Sequence, residues 1–398
     1  GCVAQLRAEF ADCRFLSRIS PPAVFAYRSG IKPYPYQENA IQAALEAKNG
    51  VVVAPCGSGK TQIGLEVVAR LGIKALWLTH TQDLLNQSME RARSVFDSAG
   101  YGMITGGKVS IGESITFATV QTMAKIDLSQ YRDIWGCVIV DECHRCIGSP
   151  TRVMQFYKVL SNLACRHKFG LTATPKRADG LQASMFALLG GIIHEVPQEA
   201  VAETTCPVFV DVVRSPYIPN PDNVTLADGT LNYAALVDDM THDKDRFEMI
   251  AYFISNLEAP ILVLGNRVEY LERLAKACRD KKRCVCLSSM GKSRAAKAER
   301  KECLRRLNDG DGVDAVFATY QLAKEGLDVP NLLYVVFATP EKDETTIAQA
   351  AGRVGRKAEG KEQGTVIDFV DNFGMYMGWY KKRKAVYRKM GYSFIDIV

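Results

Sequence analysis

A glycine-rich loop between a strand and a helix constrains this chain more than any other feature. The apolar run 51–53 leads into the loop, the amphipathic stretch 62–70 follows it, and between them lies Ala54-Pro55-Cys56-Gly57-Ser58-Gly59-Lys60-Thr61. In such a unit, backbone N–H groups and a helix N-terminus surround nucleotide phosphates. We therefore predict that ATP is bound by Gly57, Ser58, Gly59, Lys60 and Thr61. Lys60 would reach the β and γ phosphates, and the Thr61 hydroxyl would bind Mg²⁺.

An acidic pair follows another apolar run. Asp141 and Glu142 come directly after residues 137–140, so they are predicted to leave the carboxyl end of a buried strand, where α/β sheets bind ligands. Asp141 fits a second Mg²⁺ ligand, and Glu142 fits the residue that orients or deprotonates the attacking water. The alternative is a solvated acidic pair at a strand end.

Apolar runs alternate with helix-like stretches along most of the chain. The runs are residues 51–54, 75–79, 115–119, 137–140 and 169–172 and, after an interruption, 261–264, 284–287, 315–319, 333–338 and 365–369. Strands that are apolar on both faces and separated by helices predict parallel sheets covered on both sides. The predicted fold class is α/β, with two tandem domains of this kind.

The interruption is rich in turn residues, which are Pro207, Pro216, Pro219, Pro221 and Gly229. Such a stretch is typical of a junction between domains. We expect a lead-in at residues 1–30, a first lobe that binds ATP at 31–205, a linker at 206–240 and a second lobe at 241–398. Residues 1–30 are weakly patterned and are interpreted as either a lead-in or the tail of a missing domain. The chain opens on Gly1 rather than Met, which is typical of a tag remnant or of a start inside a longer polypeptide.

Charge is distributed unevenly. Residues 1–240 hold 22 basic and 22 acidic side chains, whereas residues 241–398 hold 28 basic and 22 acidic ones. The whole excess of +6 therefore lies in the second half, which favours a polyanionic partner there, although such a charge also keeps a domain soluble. No apolar run approaches the roughly 20 residues that cross a bilayer, and we expect no membrane contact and an intracellular location.

The twelve cysteines are interpreted as reduced thiols, since several lie inside apolar runs. The spacings at residues 143–146 and 284–286 lack the second paired knuckle of a structural zinc site, so no zinc is expected.

These motifs together resemble superfamily 2 DEAD/DEAH-type helicases and translocases over residues 33–372. Three of the motifs are most similar to those of the XPB-like and phage UvsW-like branch. They are residues 55–61, Asp141-Glu142-Cys143-His144, and Gly170-Leu171-Thr172-Ala173-Thr174-Pro175-Lys176-Arg177 followed by Asp179-Gly180-Leu181. DEAD-box RNA helicases carry Asp where His144 stands, which argues against a dedicated RNA remodeller. The resemblance implies two RecA-like lobes with the ATP site in the cleft between them.

Further site residues follow from the resemblance. Gln37 corresponds to the glutamine that recognises adenine. A side-chain amide can accept a hydrogen bond from the N6 amino group of adenine and donate one to N7. Gln349, Arg353 and Arg356 correspond to the motif that supplies arginine fingers, and two arginines three apart are expected on one face of a helix. Gly326 and Asp328 correspond to contacts with the ribose or the opposing lobe, and Thr172 and Thr174 to the link between ATP and nucleic acid.

The resemblance also implies a nucleic-acid track at the ends of the strands. Its candidates are mostly small or amide hydrogen-bonding residues suited to phosphate and sugar contacts. They are Thr79, His80, Thr119, Gln121, His144, Asn266, Arg267, Thr319 and Gln321. A metal pair of His80 and His144 is the competing interpretation.

An aromatic and basic stretch closes the second half. Tyr376, Trp379 and Tyr380 precede the cations 381–384 and 388–389. These aromatic side chains suit base stacking beside phosphate contacts, and their spacing equally suits the buried face of a terminal helix.

The sequence therefore predicts a monomeric, Mg²⁺- and ATP-dependent helicase that acts on DNA more than on RNA. One alternative is a double-strand translocase that remodels DNA without processive unwinding. An alternative of another class is a nucleic-acid-binding protein with an inactive ATP site. The residues that an active site needs are intact and oppose this alternative: Lys60, Thr61, Asp141, Glu142, Arg353 and Arg356.

Overall fold

The computed structural model describes residues 23–55, 57–97, 100–146, 150–173, 182–226, 228–291, 293–324, 327 and 329–395. The chain divides into two compact units, Gly1–Val201 and Ala202–Val398. Each unit is built around one sheet of predominantly parallel strands with helices between them.

The described residues of the first unit form an eight-stranded sheet in the order β4-β3-β5-β2-β6-β7-β1-β8. Its strands are β1 (Asn49–Val53), β2 (Ala75–Thr79), β3 (Tyr101–Thr105), β4 (Lys108–Ser110), β5 (Ile115–Thr119), β6 (Cys137–Asp141), β7 (His167–Thr172) and β8 (Ile192–Glu195). Its helices are α1 (Pro35–Ala47), α2 (Lys60–Leu71), α3 (Gln82–Val95), α4 (Val120–Met123), α5 (Pro150–Asn162) and α6 (Gln182–Leu189).

The central strands of this sheet are buried on both faces. Every residue of β2, β5 and β6 is buried, and one apolar cluster lies on each side of the sheet. Edge strand β4 pairs antiparallel with β3 and is exposed throughout. Parallel pairing of the central strands brings their carboxyl ends to one edge, and the candidate ATP residues lie at that edge.

The second unit contains a seven-stranded sheet in the order β11-β12-β10-β13-β14-β9-β15. Its strands are β9 (Val208–Ser215), β10 (Ile261–Gly265), β11 (Cys284–Cys286), β12 (Ala315–Thr319), β13 (Tyr334–Phe337), β14 (Gly364–Asp371) and β15 (Ser393–Ile395). The described helices are α7 (Pro221–Val224), α8 (Tyr233–His242), α9 (Lys244–Asn256), α10 (Val268–Ala277), α11 (Arg294–Asp309), α12 (Tyr320–Lys324), α13 (Glu344–Ala351) and α14 (Gly374–Lys389).

The interval 206–240, expected to be a linker, is instead part of the second unit. Strand β9 lies within it and pairs in parallel with all eight residues of β14. The prolines that suggested a junction flank this strand rather than interrupt it, and its β-branched residues place it inside the sheet. Helices α7 and α8 follow as an insertion before α9.

In the described part of the chain, no helix is both long enough and apolar enough to cross a bilayer.

Candidate ATP site and nucleic-acid interface

The phosphate loop leaves the carboxyl end of β1 and is fixed to its neighbour β7. The N–H of Ala54 donates to the carbonyl oxygen of Thr172 at 2.8 Å. Gly57 and Gly59 have φ of 85° and 75°, in the left-handed region that favours glycine. A Cβ at Gly59 would also lie 2.5 Å from Nε2 of Gln37. The glycines therefore permit the tight loop from which α2 begins at Lys60.

Lys60 is directed into this loop. Its Nζ lies 3.4 Å and 3.5 Å from the carbonyl oxygens of Ala54 and Pro55, and 4.0 Å from Oε1 of Glu142. The ammonium thus lies between the loop that would hold phosphates and the carboxylate at the end of β6. Such a position suits a cation that neutralises phosphate charge.

Asp141 is the last residue of β6 and is 7% exposed. Its carboxylate accepts hydrogen bonds from the N–H of Glu142 at 3.0 Å and from Oγ of Ser88 at 3.4 Å. Burial and, second to it, the charge of Glu142 raise the pKa of Asp141 to about 7, against the opposing effect of Lys60. With Thr61 in the first turn of α2, this carboxylate offers hard oxygen ligands of the kind that Mg²⁺ prefers. The residues therefore fit the implied metal.

Glu142 has an unusual backbone conformation and a close histidine neighbour. Its φ of 49° lies in the left-handed region, which few side-chain-bearing residues adopt. Its Oε2 lies 3.2 Å from Nδ1 of His144, and that same nitrogen lies 3.0 Å from Oγ1 of Thr172. The end of β6 is thereby connected through His144 to the end of β7.

Gln37 is 2% exposed and supports the phosphate loop. Its Oε1 accepts from the N–H of Tyr34 at 3.0 Å, and its Nε2 donates to the carbonyl oxygen of Ser58 at 2.8 Å. The hydroxyl of Tyr36 donates to the same oxygen at 3.2 Å. Gln37 thus links α1 to the loop, and its contact with adenine stays a prediction.

The track candidates of the first unit lie at the ends of β2 and β5. Thr79 is fully buried and its hydroxyl donates to the carbonyl oxygen of Thr81 at 3.0 Å. Thr119 is 6% exposed and its hydroxyl lies 3.0 Å from that of Thr122. Gln121 donates to the carbonyl oxygen of His80 at 2.8 Å. These two threonines therefore stabilise strand ends, while His80 and Gln121 are partly exposed.

The track candidates of the second unit lie at the ends of β10 and β12. Asn266 donates through its N–H to Oγ1 of Thr339 at 2.9 Å, and through Nδ2 to the carbonyl oxygen of Pro340 at 3.1 Å. Arg267 is partly exposed and pairs with Asp238 at 3.1 Å. The N–H of Thr319 donates to Oγ of Ser288 at 2.7 Å, and Gln321 is exposed.

The two candidate arginine fingers do not share a helix face as expected. Helix α13 ends at Ala351, so both arginines lie beyond it, Arg353 in a turn and Arg356 in an isolated β-bridge. Arg353 is 8% exposed and donates to the carbonyl oxygens of Ala323, at 2.5 Å, and of Leu327. Arg356 is partly exposed. Because the helix ends before Gly352, Arg353 and Arg356 are not neighbours on a helix face, and Arg353 is buried whereas Arg356 is partly exposed.

Residues at the start of the second unit hold the backbone around Arg356. Thr205 forms an antiparallel bridge with Arg356. The N–H of Cys206 donates to the carbonyl oxygen of Gly355 at 2.9 Å, and its thiol donates to that of Val354 at 3.2 Å. Within the described residues, Oε1 of Gln349 is buried without a hydrogen-bond partner.

The aromatic and basic stretch forms α14. Tyr376 is 1% exposed and packs in an apolar cluster, which confirms a buried face. Arg383, one of the cations, is also 1% exposed and forms an ion pair with Asp368 at 2.8 Å. Lys381 and Lys382 are exposed.

Some predicted residues lie outside the described residues, namely Thr174, Gly326 and Asp328. The described residues contain no group of three or more His, Cys, Asp or Glu side chains that could hold a metal ion. Sequence reasoning missed Ser88, Tyr36 and Cys206. Of these, Tyr36 had a signal, because it adjoins Gln37.

The sheets and the phosphate loop define a two-domain α/β ATPase. Two family models match the chain, "Type III restriction enzyme, res subunit" over residues 30–177 and "Helicase conserved C-terminal domain" over residues 245–358. With a match in each unit, the chain belongs to superfamily 2 of the helicases and is an ATP-hydrolysing enzyme of that family.

Several curated relatives extend over most or part of the chain. It is 24% identical to a putative ATP-dependent RNA helicase of Acanthamoeba polyphaga mimivirus over 94% of this chain and 70% of the relative. It is 25% identical to a probable helicase of Escherichia phage T5, over 86% and 72% of the two chains. It is 32% identical to a DNA 3'-5' translocase of the XPB type from Sulfurisphaera tokodaii, over 42% and 36%. These relatives confirm the resemblance to XPB-like and phage helicases.

Solved structures share the fold. A type ISP restriction-modification enzyme bound to DNA matches 91% of this chain and 30% of its own, with a TM-score of 0.66 and 18% identity. The S. cerevisiae protein Dbp5, bound to RNA and ADP BeF3, matches 92% and 90%, with a TM-score of 0.64 and 16% identity. The likeness confirms two tandem RecA-like domains.

Proposed function

We propose that this enzyme uses ATP and Mg²⁺ to translocate along and unwind DNA or branched and RNA–DNA hybrid structures, in DNA repair, recombination or replication. The observation that carries the proposal is the convergence of Lys60, Asp141 and Glu142 beside the phosphate loop, with the Lys60 ammonium 4.0 Å from Glu142. A phosphate-binding cation, a metal-binding carboxylate and a candidate base then share one edge of one sheet.

The chain's own residues would divide the hydrolytic step among them. Bound Mg²⁺ supplies positive charge at the β and γ phosphates. Thr61 and Asp141 are the residues that would hold it, and Lys60 would neutralise the transferred phosphoryl group from the loop side. Glu142 would orient the attacking water and accept its proton. Burial of Asp141 favours this assignment, because an adjacent cation would offset the cost of its ionised form.

The second unit would supply the remaining charges. We assign Arg356 and Arg353 as cations for the transition state, with Gln349 as a polar partner. Arg353 would have to exchange the carbonyl oxygens of Ala323 and Leu327 for phosphate oxygens. Hydrolysis would then be slow until nucleic acid favours the conformation in which both sets of residues meet.

Nucleic acid would be held mainly through its backbone at the carboxyl edges of both sheets. The candidates that are at least partly exposed are His80 and Gln121 in the first unit and Asn266, Arg267 and Gln321 in the second. DNA is favoured over RNA by His144 at the fourth position of its motif, and by the XPB-type relatives named for DNA. We further propose a monomer that acts in the cytoplasm, which would be that of a host if the chain is phage-encoded, as the viral and phage relatives suggest.

The test is steady-state ATP hydrolysis with no polymer and with single-stranded DNA, double-stranded DNA or RNA, followed by strand displacement on forks, junctions and hybrids. We expect stimulation by DNA and loss of hydrolysis in Lys60→Ala. Lack of stimulation by every polymer would overturn the motor, and hydrolysis that survives Lys60→Ala would overturn the site.

The same assays distinguish the alternatives. A double-strand translocase would hydrolyse ATP on duplex DNA and displace a triplex strand without separating the duplex. A binding protein with an inactive site would retain DNA without any hydrolysis.

A further inference from the structure

The insertion between β9 and β10 carries an exposed aromatic side chain. The insertion packs through Tyr217, Val224 and Leu236 in an apolar cluster with Tyr376 of α14. Asn232 caps α8, because its Oδ1 accepts from the N–H groups of Ala234 and Ala235 at 3.1 Å and 3.2 Å. Tyr233, the first residue of α8, therefore has a fixed backbone, while its side chain is 44% exposed.

Tyr233 forms a cluster with two other side chains. The centroids of the Tyr233 and Trp379 rings are 5.6 Å apart, and the planes are tilted by 50°. Nζ of Lys342 lies 5.8 Å from the Tyr233 centroid and 5.2 Å from that of Trp379. We name these three residues, Tyr233, Trp379 and Lys342, the aromatic platform. Cation–π attraction and ring contact hold it together.

The aromatic platform adjoins the carboxyl edge of the second sheet. Lys342 follows β13, and Trp379 lies in the helix that follows β14. Two residues before Lys342, the carbonyl oxygen of Pro340 accepts the 3.1 Å hydrogen bond from Asn266. The short segment 340–342 therefore links the platform to Asn266, one of the proposed nucleic-acid contacts.

The carboxylates around the platform are already engaged. Oε1 of Glu341 accepts from the N–H groups of Lys342 and Asp343 at 2.7 Å and 2.9 Å. Asp238 pairs with Arg267 at 3.1 Å. An exposed ring beside an ammonium suits a nucleotide, since the base stacks on the ring and the cation attracts the phosphate.

We propose that the aromatic platform binds one nucleotide of a single-stranded segment, with the base stacked on Tyr233 and the phosphate near Lys342. The proposal rests on the proposed function and names a contact for the unwound strand beyond the motif residues. Stacking on an aromatic face is tolerant of sequence, as a motor that moves along a strand requires. DNA and RNA share this chemistry, so the experiment has an arm for each.

Tryptophan emission offers a direct readout. The chain has three tryptophans, and Trp77 and Trp135 are 0% and 1% exposed. Oligo(dT) or oligo(U) of about 20 nucleotides should therefore quench emission chiefly from Trp379. We expect quenching in the wild type and its loss in Trp379→Phe. Wild-type protein that binds an oligonucleotide with unchanged emission would overturn the platform.

Affinity provides the second readout, measured by anisotropy of the labelled oligonucleotide. Loss of one stacked base should weaken binding by about tenfold in Tyr233→Ala, while Tyr233→Phe should bind as the wild type does. Lys342→Gln should lower the slope of log affinity against log salt by about 0.7, the value for one phosphate on a single strand. Tyr252→Ala is the matched control, since Tyr252 is 68% exposed on α9 of the same unit.

The outcomes separate this inference from the proposed function. Wild-type stimulation by DNA together with equal affinity of Tyr233→Ala and wild type would overturn the platform and leave the motor standing. Equal weakening in Tyr252→Ala would also overturn it. Absence of any binding or stimulation in the wild type would overturn both. The polymer that quenches Trp379 emission more strongly identifies the preferred strand.

Discussion

Oε2 of Glu142 lies 3.2 Å from Nδ1 of His144, a nitrogen that also lies 3.0 Å from the hydroxyl of Thr172. The candidate base for water is thereby held by the residue that distinguishes this chain from DEAD-box proteins. Since His144 is 5% exposed, its ring is fixed by packing. Any shift of Thr172 at the end of β7 would reach Glu142 through one side chain.

His144→Ala is expected to lower the DNA-stimulated kcat for ATP by about 10- to 100-fold, since loss of positioning by about 1 Å is enough for such a cost. The KM for ATP should change little, because His144 lies beyond the phosphate loop. His144→Asn, which places an amide near the position of Nδ1, should restore part of kcat. An unchanged kcat in the alanine variant would show that His144 does not position Glu142.

Gln37→Ala is expected to raise the KM for ATP, because the variant removes the 2.8 Å hydrogen bond to the carbonyl oxygen of Ser58. Parallel measurements with GTP distinguish two roles of Gln37. If the amide only supports the loop, both nucleotides lose affinity equally. If it reads adenine as predicted, the preference for ATP over GTP falls, and a preference that stays constant would refute that role.

The sequence predicted the central strands well, because strands buried on both faces appear as continuous apolar runs. The runs 75–79, 115–119 and 315–319 coincide with β2, β5 and β12. It missed β3, whose buried and partly exposed residues alternate, and β9, which prolines flank. In both cases the strand forms because it pairs with a neighbouring strand of the sheet, and the local residue pattern does not reveal that pairing.

The candidate site was predictable where chemistry is local. The loop residues and the acidic pair are each contiguous, so their positions followed from the strand ends. The supports of the site were not predictable, since Ser88 reaches Asp141 across 53 residues and Gln37 reaches Ser58 across 21. The environments of Arg353 and Arg356 depend on where α13 ends, which spacing alone does not determine.

Arg356→Ala and Arg353→Ala are expected to differ in stability although both should impair hydrolysis. Arginine fingers contribute on the order of 10³- to 10⁵-fold to kcat, so Arg356→Ala should nearly abolish turnover. Because Arg356 is partly exposed, its loss should lower Tm less than the loss of Arg353. Arg353→Ala should also lower Tm, because the carbonyl oxygens of Ala323 and Leu327 lose a buried donor, at about 1–3 kcal/mol. Equal Tm values for the two variants would contradict the separate environments.

Asp371→Ala is expected to destabilise the second unit strongly. Arg246 and Asp371 are both fully buried, with Nε and Oδ1 2.6 Å apart, and the hydroxyl of Tyr270 accepts from Nη1 of Arg246 at 2.9 Å. Removing Asp371 leaves the guanidinium buried without its counter-charge, which costs about 3–5 kcal/mol in the free energy of unfolding. The measurement is urea unfolding followed by circular dichroism.

The exposed cluster around Arg305 supplies the control for that measurement. Arg305 pairs with Glu302 and Asp309 at 2.7 Å each, with more than half of its side chain exposed. Water and salt screen these pairs, so Arg305→Ala should leave the urea midpoint unchanged. If Arg305→Ala shifted the midpoint as far as Asp371→Ala, the loss would reflect charge removal in general. A shift confined to Asp371→Ala assigns the stability to the buried pair that joins α9 to the end of β14.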